Sequence, residues 1–151
     1  MPKLSALRTF LGLSRQQRRA VGRAAWVLVD CRLRLTWQHV DLVRTWAAQR
    51  REGKHESDLL GFGVKIAAKH LPGMTCLIRA LALQRLLSAN GHDSELTIGV
   101  DNPGGAFGAH AWLTCGGRIL SGAEEAERFR PLAIWRAPLR DSELKVQVRG
   151  H

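Results

Sequence analysis

Cysteine is scarce in this chain, with Cys31, Cys76 and Cys115 the only three in 151 residues. The count is odd, and no C-x-x-C or H-x-x-x-H spacing accompanies it, which excludes a disulfide framework and leaves zinc without a ligand pattern. No apolar run approaches the length of a membrane span. The first residues lack the apolar core and small-residue cleavage site of a secretory signal, so a cytoplasmic protein with no membrane span is expected. No G-x-x-x-x-G-K loop, dinucleotide glycine fingerprint or G-x-S-x-G elbow occurs, and neither a cofactor nor a metal is expected. Acidic residues are also few, 13 Asp and Glu against 23 Lys and Arg, for a net charge of +10 and a pI near 11.0. Such a balance suits a phosphate backbone. Yet the arginines crowd the first third, from Arg8 to Arg51, interleaved with apolar residues at helical spacing as on solvated helix faces. No helix-turn-helix, zinc-finger or aromatic RNA-binding signature goes with them, so nucleic acid is not an expected partner.

With 45% hydrophobic residues and no low-complexity block, the chain can bury the core of one domain, residues 1–151. Its first part, 1–56, reads as basic helices. Ser14 with Gln17 three residues on forms a capping box, and Val21, Ala24, Ala25 and Leu28 continue it as a helix to about Leu35. Trp26, Trp37 and Trp46 fall within helical patterns and are assigned to inter-helix packing. A second helix is predicted from Val40 to about Arg51, and a loop from Glu52 to Glu56. Ser57 is expected to cap a third helix, ending near His70 because Pro72 disfavours a helical Leu71. That break delivers Cys76 to the start of the next helix, which runs to Leu87 and stops at Asn90-Gly91.

Beyond Gly91 the apolar period changes to about two. Glu95 to Val100 reads as a strand, Asp101 to Gly105 as a turn, Ala109 to Thr114 as the return strand, and Arg118 to Ser121 as a third strand after Cys115-Gly116-Gly117. Helices followed by a short antiparallel sheet make an α+β domain, with the Cys76 helix expected on the sheet face that carries His110.

The pair Cys76 and His110 points to chemistry. A thiol is a weak nucleophile, and a helix N-terminus, free backbone N–H groups and a nearby imidazole favour the thiolate. The same N–H groups can receive the oxyanion of a tetrahedral intermediate. A cysteine before an apolar run is also a common small core residue, and a histidine between alanines can be a satisfied core residue, so the structural alternative stands beside the catalytic one.

Cys76-Leu77-Ile78-Arg79-Ala80-Leu81-Ala82-Leu83, then Gly91-His92, Ala109-His110-Ala111-Trp112 and Arg128-Phe129-Arg130-Pro131-Leu132, in this order over about residues 57 to 134, resemble the lasso-peptide B2 proteins. These are leader-peptide cysteine proteases. The resemblance implies a transglutaminase-like, papain-like core in residues 57–151, with Cys76 as nucleophile and His110 as general base and acid. It implies cleavage of the leader from a ribosomally made precursor peptide, which a macrolactam cyclase then closes. The precursor is therefore an expected partner, with a separate B1-type leader-recognition protein and the cyclase beside it; the basic helices of 1–56 offer a docking surface. The family has an acidic residue on the strand after the histidine, where this chain has Gly122. Glu124 would share that strand face if the strand continues, with Glu125 and Asp101 as alternatives. Glu124 and Glu125 could equally open the first turn of a helix, leaving the imidazole to a backbone carbonyl or another residue. An acyltransferase of the same fold and a non-catalytic basic helical binding module remain as rival readings.

Overall fold

The computed structural model describes residues 2–101, 104 and 107–138. Five helices precede the first strand: α1 (Pro2–Leu11), α2 (Arg15–Trp37), α3 (Val40–Ala47), α4 (Ser57–His70) and α5 (Cys76–Ala89). The start of α2 follows from the capping box. Ser14 Oγ accepts from the Gln17 N–H at 3.1 Å, and the Ser14 N–H donates back to Gln17 Oε1 at 2.9 Å, an exchange worth about 1 kcal/mol. Val21, Ala24, Leu28 and Cys31 recur every three or four residues and are buried. They meet α4 and α5.

That phase overturns the core assignment of two tryptophans. With Ala24, Leu28 and Cys31 inward, Trp26 and Trp37 point to the opposite side of α2, where they are 74% and 83% exposed. Helical periodicity held for them, but the phase was set by the small residues that allow α2 to approach its neighbours. Trp46 is half-buried against the core, with the guanidinium groups of Arg34 and Arg85 at 4.6 and 5.3 Å from its ring.

α3 stops at Ala47, short of the expected Arg51. The main chain beyond it is drawn to the C-terminal end of α5, where the N–H groups of Arg51 and Gly53 donate to the carbonyls of Ser88 and Ala89. Buried Arg85 holds the same loop through the carbonyls of Trp46 and Gln49, and His92 Nε2 donates to the His55 carbonyl. In α4 the N-cap is Glu56 rather than Ser57, and it makes no side-chain cap bond. The helix ends at an extended Leu71, as Pro72 requires.

α5 is buried almost all round, at Ile78 and from Ala80 to Ser88, as a central helix must be. α2, α3 and α4 cover it from outside, and the sheet lies on the other side. Leu28 and Cys31 of α2 and Val43 of α3 share one core with α4, α5 and the sheet, so the basic helices are part of that core.

The sheet has four antiparallel strands, β1 (Ser94–Asp101), β2 (Gly108–Cys115), β3 (Arg118–Ser121) and β4 (Arg130–Ala137), in the order β3-β2-β1-β4. A short helix, α6 (Ala123–Ala126), links β3 to β4. β4 escaped the sequence reading: it is an edge strand, exposed over most of its length, and Pro131 obscures its alternation. Of the predicted turn Asp101 to Gly105, residues 102, 103 and 105 lie outside the described residues.

Alternation along β2 corrects a second expectation. Leu96 pairs with Leu113 and Ile98 with Ala111, and these residues face the core that contains α5. His110 and Trp112 occupy the intervening positions, so they stand on the other face. The Cys76 helix therefore does not pack on the face that carries the histidine.

Candidate active site

The segment before Cys76 is shaped by two arginines. Arg32 of α2 donates to the Pro72 carbonyl at 2.7 Å, and Arg79 of α5 donates from Nε to the Met74 carbonyl at 3.0 Å. Thr75, extended at φ −68° and ψ 165°, is the N-cap, and its hydroxyl accepts from the Ile78 N–H. Cys76 is thus the first residue of α5. The first main-chain bond of the helix runs from the Arg79 N–H to the Thr75 carbonyl. Ahead of it the Ile78 N–H is taken by the Thr75 hydroxyl, and the N–H groups of Cys76 and Leu77 belong to the first turn, outside the main-chain ladder, where the helix dipole favours negative charge.

His110 lies on β2 directly opposite Gly99 of β1. Its Nε2 is 2.9 Å from the Gly122 carbonyl. A carbonyl only accepts, so Nε2 carries the proton and Nδ1 is left as the basic nitrogen. The imidazole packs against Phe129 at 5.2 Å and Trp112 at 6.1 Å between ring centroids.

Cys76 and His110 line one cavity rather than sharing a packed face. β3 pairs only with Leu113 to Cys115, which leaves the first half of β2 without a neighbour on that side. The chain from Gly122 into α6 fills the gap. A cavity of about 640 Å³ opens there, lined by Cys76, Arg79, His110, Gly122 and Glu124 among others. A larger recess of about 1300 Å³ lies at the other end of the sheet, between Arg50, Arg51 and Arg136. It is lined by neither a thiol nor an imidazole, whereas the smaller cavity is lined by both.

Burial separates the three thiols. Burial pushes Cys31 up to about 12. It also raises Cys115, against a smaller opposing effect of a hydrogen bond with Ser57. Both are protonated thiols inside the protein, whereas Cys76 is only partly buried and lines the cavity.

The acidic candidates fall in different places. β3 ends at Ser121 because Gly122 turns the chain in the left-handed region at φ 81°, so the strand does not continue to Glu124. Glu124 and Glu125 open α6 instead. Both line the cavity, but the proton of His110 Nε2 goes to Gly122. Asp101 sits at the end of β1, 3.8 Å from Arg128. Among the described residues no three His, Cys, Asp or Glu side chains form a metal-binding group.

Sequence reasoning assigned no role to Trp112, Phe129 or Gly99. Trp112 and Phe129 lie inside quoted motifs, and their signal was the motif itself. A Cβ on Gly99 would stand 2.7 Å from both Phe129 Cβ and the Trp112 ring, so this glycine makes room for the aromatic pair around the imidazole. Lys65 and Arg79 add two cations to the cavity wall, a placement that depends on how α4 and α5 cross.

No curated protein and no solved structure matches the chain significantly. A family model does match, that of the transglutaminase-like superfamily, over residues 25–134. The match begins inside α2, takes in Cys76 and His110, and ends in β4. Its members are typically cysteine-type enzymes, and this α+β chain belongs to the transglutaminase-like superfamily.

Proposed function

We propose that this protein is a cysteine peptidase that removes the leader from a lasso-peptide precursor. The observation that carries the reading is the cavity shared by Cys76, at the head of α5, and His110, whose Nε2–H is engaged by Gly122. Membership of a superfamily that includes cysteine peptidases and acyltransferases supports it, and so do the ordered motifs from Cys76 to Leu132.

The chemistry runs in two halves. The Cys76 proton passes to His110 Nδ1, and the thiolate attacks the scissile carbonyl, whose oxygen takes the negative charge against first-turn N–H groups of α5. The imidazolium protonates the leaving amine as the C–N bond breaks, releasing one fragment and leaving a thioester on Cys76. Water then attacks the thioester, giving its proton to His110, and the C–S bond breaks to release the acid and regenerate the thiol. Arg79 and Lys65 line the cavity and offer positive charge to polar groups of the peptide.

A separate B1-type leader-recognition protein is the proposed partner, with the macrolactam cyclase acting on the product. Support comes from the outward face of α2, where Trp26, Leu33 and Trp37 are exposed on the same line as Arg15 and Arg19. Aromatic residues flanked by arginine are the anchors of protein interfaces.

Mass spectrometry of a cognate precursor incubated with the protein and a B1-type partner tests the reading. A single cut at the leader-core junction, absent with Cys76→Ala, is the expected result. Transfer of the thioester to an added amine with no hydrolysis would make the protein an acyltransferase. No covalent adduct at Cys76 under either condition would leave a binding module.

A further inference from the structure

We infer that the backbone carbonyl of Gly122 takes the place of the catalytic acid, orienting His110 through Nε2. The inference rests on the Cys76 and His110 reading above and deepens it by naming Gly122 as the positioning residue.

Three independent features of the fold converge on this bond. The first is the donor geometry itself, Nε2 to the Gly122 carbonyl at 2.9 Å, in a part-buried site where a neutral hydrogen bond holds a ring well. The second is that residue 122 has no room for a side chain. A Cβ there would lie 2.7 Å from the Ala111 carbonyl oxygen, 3.0 Å from His110 Nε2 and 3.0 Å from Trp112 Cβ. The φ of 81° adds a conformation that residues with a Cβ rarely adopt. Only glycine lets the chain leaving β3 come close enough to β2 to place its carbonyl on the ring. The third is that the ring is held from its sides: Phe129 and Trp112 pack against it, and Gly99 gives both aromatics their space.

The acidic side chains nearby have other positions. Asp101 pairs with Arg128, and Glu124 and Glu125 start α6, two and three residues past the carbonyl that the ring uses. The orientation of His110 is therefore a main-chain property, independent of any carboxylate. A carbonyl and a carboxylate both accept from Nε2–H, so the tautomer needed for Nδ1 to act as the base is preserved. Loss of that tautomer is what makes replacement of an orienting acid cost about 10⁴-fold in a serine protease.

The experiment is nitrogen-15 histidine NMR of the full chain, reading the tautomer of the neutral His110 ring from its two-bond couplings, together with the rate of Cys76 alkylation by iodoacetamide. Wild type is expected to show Nε2–H. Glu124→Gln, Glu125→Gln and Asp101→Asn are expected to keep that signature and to change alkylation by less than about threefold. Gly122→Ala should lose the Nε2–H signature and slow alkylation by about tenfold or more, as the added Cβ pushes the carbonyl away. An Nδ1–H tautomer in wild type, or its appearance in Glu124→Gln, overturns the assignment. These readouts need no substrate. A protein that shows Nε2–H but leaves the precursor uncut overturns the peptidase reading alone, and one that cuts the precursor with an Nδ1–H ring overturns the role of Gly122 alone.

Discussion

Gly99 on β1 stands directly across from His110 on β2, and the space left by its missing side chain is filled by Trp112 and Phe129, the two rings that flank the imidazole. Gly99 thus acts on the histidine of the proposed enzyme only through the two rings that it makes room for.

Gly99→Ala is expected to push against Phe129 and Trp112 at 2.7 Å and to cost about 1–3 kcal/mol, the range for overpacking a filled site. Activity should fall further than stability does, because the displaced rings loosen His110. Urea unfolding and cleavage assays on one preparation check this. A variant with wild-type stability and wild-type cleavage would show that the rings do not constrain the imidazole.

In the folded protein, iodoacetamide at neutral pH should label Cys76 and spare Cys31 and Cys115, which are buried. Cys76→Ala and His110→Ala should each lower cleavage by at least ~10³-fold, as in other nucleophile-base pairs, while Cys115→Ala keeps it. Peptide mapping after labelling, with assays of the three variants, is the measurement. Labelling at Cys115 with Cys76 untouched would reverse the assignment.

The Cys31 thiol makes stability depend on alkaline pH. Its folded value is raised by burial from 9.0 to about 12, so the unfolded chain loses the proton first. Its contribution is complete below 9.0 and is lost as pH climbs toward about 12. One pH unit above the unfolded value, the loss is about 1.4 kcal/mol. Denaturant midpoints of wild type and Cys31→Ala between these limits should converge as pH rises. Parallel curves would mean that Cys31 does not sense the difference between folded and unfolded states.

Trp26→Glu and Trp37→Glu should leave stability within about 0.5 kcal/mol, since both rings are exposed and pack on nothing that folding requires. Binding of a B1-type partner should weaken at least ~10-fold for each, the scale of an aromatic anchor at an interface. Calorimetric titration separates the two effects. Full affinity in the double variant would remove α2 as the docking face.

Local chemistry in the sequence was enough for α2, α5 and the end of α4. The Ser14 and Gln17 box, the break at Pro72, the cap at Asn90-Gly91 and the alternation of β1 and β2 each involve groups within a few residues of one another, and backbone hydrogen bonding and sterics act at that range. Cys76 at a helix start and His110 on a strand were legible for the same reason. Glu56 rather than Ser57 is the N-cap of α4, and where α3 stops early the competing partner was the far end of α5.

The rest depended on contacts between distant segments. Periodicity along α2 could not say whether Trp26 and Trp37 or Ala24, Leu28 and Cys31 face inward, because that phase is set by what α4 and α5 present to it. β4 becomes a strand because β1 offers an unpaired edge, which its own residues do not announce. The sequence left two readings open, β3 extended to Glu124 or a helix opening at Glu124 with a backbone carbonyl on the imidazole; a glycine at φ 81° ends the strand and brings its own carbonyl to His110. Such an approach is a property of two chains passing within 3 Å of each other, and no spacing in a linear sequence encodes that distance.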